Sequence, residues 1–322
     1  MSRTRIACIG AGTVGSAWAV VFARAGFDVS LWDVVPETLS DFAMPRVDRV
    51  ARTLADEMPT GEDAQTVLSR IRAATSLADA VDGAHAVQES VREDLSIKRA
   101  VFAEIGNTAP ADALLMSSTS ALPGSQFLTA VPNPERALVA HPVNPPSHIP
   151  LVELCGTGLT SDGAIDRARQ LFLTARMEPV VLRKEIEGFL LNRLQYTLVA
   201  EAMHLVGEGY CTAEDIDRVL TSGLALRWAS IGPFMTAHLN ARDGFRGFVD
   251  QLGPMMKTMG RAAKTDYDWG PALSDRIHET MARQLPVGEI PQAQAWRDGR
   301  ILATRRMQAA DGMPGRRDAD TD

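Results

Sequence analysis

A short strand, 5–9, apolar from Ile6 onward, passes without a break into Gly10-Ala11-Gly12-Thr13-Val14-Gly15, and few short sequences restrict a fold as tightly as a strand ending in this turn. Gly10 permits the tight turn, Gly12 lets the backbone approach a pyrophosphate, and Gly15 lets the next helix pack close to the strand. Residues 16–26 carry Trp18, Val21, Phe22 and Ala25 at helical spacing, and a second strand, 28–32, ends at Asp33. The helix N-terminus, with Thr13 and Val14 in its first turn, offers unpaired N–H groups and the positive end of a dipole to phosphates. Asp33 stands where a carboxylate accepts hydrogen bonds from the ribose hydroxyls of an adenosine. A 2′-phosphate there meets a negative charge, and Val34-Val35-Pro36 supplies no arginine to offset it, so NAD is expected rather than NADP. A ligand-free glycine turn explains the glycines but not their agreement with the helix and the acid.

The pattern then continues as strand and helix in alternation. Helical segments are expected over 36–72, a strand over 84–88, a helix over 95–105 and a strand over 113–117. Further strands are read at 136–140, 151–155 and 180–182, with a helix over 162–175. The stretch 141–150 holds four prolines, which makes a stiff connection between two strands. This is an α/β chain with a Rossmann-type doubly wound sheet over residues 1–186. From Phe189 the apolar residues Leu190, Leu194, Leu198, Ala202, Leu205 and Val206 recur at helical spacing and no strand follows, so 187–304 reads as a smaller all-α domain. Thr212-Ala213-Glu214-Asp215 reads as an N-cap with acids in the first turn, and 305–322 as a charged, disordered tail.

Composition narrows the function classes. A chain of 322 residues with 45% hydrophobic content can bury a full core, and its net charge of −7 is spread along the sequence, which argues against a nucleic-acid surface. No apolar run approaches the roughly 20 residues that span a bilayer. The first strand begins too early for a signal peptide, so a cytoplasmic location is expected. Cys8, Cys155 and Cys211 are far apart and lack metal-like spacing with histidine, so they read as reduced thiols and no metal site is expected.

Hydride transfer from an alcohol needs a base at the hydroxyl, a group that orients the base, and donors that hold the oxygen. His141 directly follows a strand, at the carboxyl edge where open α/β sheets bind ligands. Glu153 lies in the next strand, so a chain reversal at the proline-rich connection brings its carboxylate to the imidazole, fixing the tautomer and stabilising the imidazolium. Ser117-Ser118-Thr119-Ser120 likewise places hydroxyls at the same edge after another strand, and Asn192 sits near the start of the helix that opens the second domain. Each has a plainer reading: a structural histidine, a turn serine, a helix-cap asparagine.

Those motifs, with His141-Pro142-Val143-Asn144-Pro145, Leu151-Val152-Glu153 and Gly188-Phe189-Leu190-Leu191-Asn192-Arg193-Leu194, resemble the 3-hydroxyacyl-CoA dehydrogenase family, and within it the branch of L-gulonate 3-dehydrogenases. The resemblance runs in order from residue 5 to about 260. It implies a Rossmann domain followed by a helical domain that forms a homodimer. It implies His141 as base, Glu153 as its partner, and Ser120 and Asn192 as groups that position substrate and transition state. Glu93 and Lys98 match family positions at the cofactor and substrate cleft, and Ser118 and Asn144 join the cofactor-binding set. Without the resemblance, Lys98 reads equally well as a solvated helix charge.

Substrate choice rests on departures from the acyl-CoA pattern. Those enzymes carry two aromatic residues where this chain has Pro142 and Val143, and an asparagine where it has Ser118. The segment 36–72 holds seven acids against five arginines, a poor landing surface for the phosphates of coenzyme A. A small free L-3-hydroxy acid is therefore expected. Arg227, in Gly223-Leu224-Ala225-Leu226-Arg227-Trp228, is the candidate cation for its carboxylate, with a dimer-interface role as the equal alternative. L-Carnitine and an L-3-hydroxyacyl-CoA remain alternative substrates. A structural, crystallin-like NAD-binding protein or a redox sensor is the alternative of another class.

Overall fold

The computed structural model describes residues 3–54 and 62–310. Two compact units result, Met1–Arg193 and Leu194–Asp322. The first opens with β1 (Arg5–Ile9), α1 (Thr13–Arg24) and β2 (Asp28–Trp32). There follow α2 (Met44–Thr53), α3 (Ala64–Leu68), β3 (Ile71–Ala73), α4 (Leu77–Val81), β4 (Ala86–Glu89), α5 (Leu95–Thr108) and β5 (Leu114–Ser117). The unit closes with β6 (Ala137–Pro142), β7 (Leu151–Gly156), α6 (Asp162–Thr174) and β8 (Glu178–Leu182).

The eight strands form one sheet in the order β3-β2-β1-β4-β5-β6-β7-β8. Every pair is parallel except β6 and β7. Strands covered on both faces must be apolar throughout, and β1, β4, β5 and β6 are indeed buried almost end to end. The chain leaves β1 toward β2 on one side and leaves β4 toward β5 on the other, so the order reverses between β1 and β4. Such a reversal opens a crevice beyond the carboxyl ends of the strands.

Aromatic residues seal both layers. On one face Trp18 of α1 stacks on Phe22 at 5.3 Å and meets Phe172 of α6 at 5.4 Å. Elsewhere Phe102 of α5 packs on Phe127 at 5.5 Å. Helix starts follow the capping residues: Asp94 accepts hydrogen bonds from the N–H groups of Ser96 and Ile97, and Ser161 from that of Ala164. The segment expected to be helical over 36–72 is not so throughout. Residues 71–73 pair with β2 as an edge strand, in which only Ile71 is buried. Three residues with one buried side chain carry too little periodicity to be told from a helix end.

The second unit is helical. It holds most of α7 (Leu191–Gly207), then α8 (Ala213–Val219), α9 (Ala225–Trp228), α10 (Pro233–Leu239), α11 (Gly244–Ala262), α12 (Pro271–Gln284) and α13 (Ile290–Ala310). Thr212 and Asp215 form a reciprocal capping box on α8, so the acids after Thr212 do cap a helix. Helix α13 carries the chain six residues into the segment read as a tail; residues 311–322 lie outside the described ones. Of this unit's described hydrophobic residues only Ala200, Val206, Ala237 and Leu302 are buried. Phe234, Leu194, Tyr210 and Trp296 are each at least 70% exposed.

Cys8 and Cys155 are buried free thiols in β1 and β7, and burial pushes the Cys155 thiol up to about 11. Among the described residues no group of three or more metal-ligating side chains occurs, and no helix is long and apolar enough to cross a membrane.

Candidate active site

The turn after β1 has the shape that its glycines dictate. Gly10 has φ +92°, and a Cβ there would lie 2.7 Å from the backbone of Ser90. A Cβ on Gly15 would lie 1.8 Å from the carbonyl oxygen of Gly10, so helix and turn touch backbone to backbone. Gly12 is different, since a Cβ there would meet nothing within 4 Å. Its backbone faces open space, as a turn that receives a pyrophosphate requires. The first intrahelical bond of α1 runs from Ser16 N to Gly12 O, and no side chain caps this end. The N–H groups of Thr13, Val14 and Gly15 thus have no partner within the helix. Asp33 Oδ2 accepts from Ala11 N at 2.7 Å and Oδ1 from Val35 N at 3.0 Å, which holds the carboxylate at the end of β2 beside the glycine turn. Each oxygen keeps a second lone pair for a ribose hydroxyl. On these observations the residues fit a dinucleotide.

At the same carboxyl edge, β6 and β7 place His141 directly opposite Glu153. Nδ1 of His141 lies 2.8 Å from Glu153 Oε2, and both side chains are buried. A carboxylate only accepts, so Nδ1 carries the proton and Nε2 keeps its lone pair for a substrate hydroxyl. The other oxygen of Glu153 accepts from Leu190 N at 2.8 Å and Leu191 N at 3.1 Å. Those amides are aimed by a left-handed pair, Gly188 at φ +74° and Phe189 at φ +51°. A bulky residue in that region is strained. Phe189 is held there by complete burial, with its ring 5.1 Å from that of His141.

The next residue extends the arrangement. Asn192 Nδ2 donates to Ser120 O at 2.7 Å, so the start of α7 grips both the His141–Glu153 pair and the turn after β5. Glu93 holds that turn from the other side. Its Oε1 accepts from Thr119 Oγ1 at 2.6 Å, Ser120 N at 2.8 Å and Ala121 N at 3.0 Å. Burial raises the Glu93 carboxyl, but the Thr119 hydroxyl, the Lys98 charge and the two amides outweigh it and hold the group below its ordinary value.

Lys98 is 1% exposed, which rules out its reading as a solvated charge. Its Nζ sits 2.9 Å from Glu89 Oε1 and 3.3 Å from Glu93 Oε2. Glu89, fully buried at the end of β4, also accepts from Ser117 Oγ at 2.6 Å and Val91 N at 2.6 Å. Sequence reasoning places the Ser117 hydroxyl at this edge but missed Glu89, its partner; the available signal was a carboxylate as the last residue of a strand that begins apolar. Ser118 is half-buried, and its hydroxyl is taken up by Trp18, Gln88 and Ser90. Asn144 is exposed in the turn after β6. Arg227 lies on α9 in the second unit, exposed and with no side-chain partner among the described residues.

Comparison with known proteins agrees with this geometry. Residues 5–186 match the family model "3-hydroxyacyl-CoA dehydrogenase, NAD binding domain", and residues 188–283 match "3-hydroxyacyl-CoA dehydrogenase, C-terminal domain". The lambda-crystallin homolog of Bos taurus is 37% identical over 92% of this chain and 93% of its own length. An L-carnitine dehydrogenase of Streptomyces griseus is 36% identical over 78% of this chain and 74% of its own. A solved structure of 5-formyl-3-hydroxy-2-methylpyridine 4-carboxylic acid 5-dehydrogenase, an NAD+-dependent dismutase, superposes with a TM-score of 0.82. It is 27% identical and covers 97% of this chain and 100% of that one.

Proposed function

The chain belongs to the 3-hydroxyacyl-CoA dehydrogenase family and is an NAD-dependent oxidoreductase of CH–OH groups, and within that activity we propose that it oxidises the 3-hydroxyl of a small free L-3-hydroxy acid of the L-gulonate type. The observation that carries the reading is the buried 2.8 Å pair of His141 and Glu153 at the carboxyl edge of the sheet. His141 Nε2 takes the hydroxyl proton, and the resulting imidazolium is stabilised by Glu153, whose charge is fixed by the amides of Leu190 and Leu191. Ser120 and Asn192 hold the substrate oxygen. When bound, NAD supplies the acceptor for the hydride that leaves C3. Thr13, Val14 and Gly15 offer it N–H groups, Asp33 accepts from its ribose, and Glu93, Lys98, Ser118 and Asn144 complete the set assigned to it.

A free acid is favoured over a thioester by the charge of the segment after β2. Three of its five arginines are already paired, Arg52 with Asp48, Arg70 with Glu62 and Arg72 with Asp79, so little positive charge is left for the phosphates of coenzyme A. Arg227 is the cation assigned to the substrate carboxylate, with the dimer interface as its other assignment. A homodimer through the helical unit is supported by the small buried core of that unit and its many exposed large side chains. The resemblance of the motifs to L-gulonate 3-dehydrogenases favours the sugar acid, and the L-carnitine dehydrogenase relative keeps L-carnitine as the second reading.

The test is NADH formation with equal concentrations of L-gulonate, L-carnitine, L-3-hydroxybutyrate and L-3-hydroxybutyryl-CoA. Turnover of L-gulonate with the thioester inert is the expected result, and Arg227→Ala then raises its KM. Preference for the thioester overturns the free-acid reading.

A further inference from the structure

Ser90 follows β4, at the point where the order of the strands reverses, and neither its position nor its residue type marks it out in the sequence. In the structure it packs against that turn. A Cβ on Gly10 would lie 2.7 Å from its carbonyl carbon, and a Cβ on Gly15 would lie 3.5 Å from its own Cβ.

Its hydroxyl is oriented by a count of donors. Ser118 Oγ lies 3.1 Å from Trp18 Nε1 and 2.7 Å from Gln88 Nε2. An indole N–H only donates, and the Gln88 amide nitrogen, also 3.4 Å from the carbonyl of Ala140, only donates as well. Both lone pairs of Ser118 are therefore filled, and what remains to it is its proton. Ser90 Oγ, at 2.9 Å, takes that proton. Ser90 is thus the acceptor in this contact, and its own O–H has no acceptor among the described residues. The side chain is half-buried, at the crevice where the order of the strands reverses.

We propose that Ser90 is a cofactor-binding residue, its hydroxyl donating a hydrogen bond to a phosphate or ribose oxygen of NAD across the β1/β4 crevice. Trp18, Gln88 and Ser118 are positioning residues that act through it: with the Ser118 proton pointed at Ser90, the Ser90 proton is turned outward to the dinucleotide. A side chain of this size, already polarised by one hydrogen bond, delivers a donor with little rotational entropy left to lose.

The inference rests on NAD binding and not on the identity of the hydroxy acid. It is tested by fluorescence titration of NADH into the full chain with no substrate present, alongside the melting temperature without cofactor. Ser90→Ala should weaken NADH binding about fivefold, the size of one lost hydrogen bond, while the ligand-free melting temperature falls only slightly, through the lost contact with Ser118. An unchanged Kd overturns the proposal. If Ser90→Ala does not fold, Ser90→Cys decides, because a thiol of similar size is a much weaker donor. A two- to threefold loss of NADH affinity then supports the proposal, on the order of half that hydrogen bond, and no loss overturns it.

Discussion

Glu153 touches both ends of the catalytic apparatus: one carboxylate oxygen lies 2.8 Å from Nδ1 of His141, and the other accepts from the amides of Leu190 and Leu191. The residue that sets the tautomer of the base is thus also the anchor for the start of α7, which carries Asn192. Orientation of the imidazole and placement of Asn192 are coupled through one side chain, while Glu93 holds the turn that carries Ser120.

Glu153→Gln should therefore do more than remove a charge. A carboxamide can present N–H to Nδ1, which moves the imidazole proton to Nε2 and abolishes the base. Turnover should fall by about a hundredfold or more, with the Kd for NADH nearly unchanged. Steady-state kinetics and an NADH titration check this; retained turnover removes Glu153 from the mechanism.

Asp33 holds two backbone amides, and its charge faces any 2′-phosphate. Asp33→Ala should weaken NADH about tenfold, the size of a hydrogen bond to a charged group, and narrow the preference over NADPH. Parallel titrations of the two cofactors decide it. An undiminished preference would show that discrimination lies elsewhere.

Lys98 and Glu89 form a buried pair, 1% and 0% exposed. Lys98→Met leaves Glu89 uncompensated in the core and should cost about 3–5 kcal/mol in urea unfolding. The double change Glu89→Gln with Lys98→Met should cost less than the single one, because no isolated charge remains. A single-variant loss below about 1 kcal/mol would mean that the pair relaxes to solvent.

Glu93 gives the pH dependence its sign. Burial raises its carboxyl, but the Thr119 hydroxyl, Lys98 and the amides of Ala121 and Ser120 prevail, so the folded value lies below the ordinary 4.5. The unfolded chain binds this proton first. The contribution to stability is complete above about pH 4.5 and is lost as pH falls through the lower folded value. The gap in melting temperature between wild type and Glu93→Gln should shrink as pH is lowered from about 6 to about 3. A constant gap over that range rejects the assignment.

The sequence by itself determined the nucleotide turn, the alternating sheet and the pairing of His141 with Glu153. All three are written in local chemistry: glycines where backbones must touch, apolar runs for strands buried on both faces, and prolines that return one strand beside another. Only the tertiary structure decided the rest. Strand β3 is too short and too exposed to carry a period, so pairing with β2 defines it. Lys98 and Glu89 are ordinary charges along the chain, and they become a buried pair because α5 packs on the end of β4. The roles of Ser90, Ser118, Trp18 and Gln88 depend on hydrogen bonds spanning up to 100 positions in sequence. Which of two hydroxyls gives its proton to the other is a property of neighbours in space, and no spacing in a linear sequence encodes it.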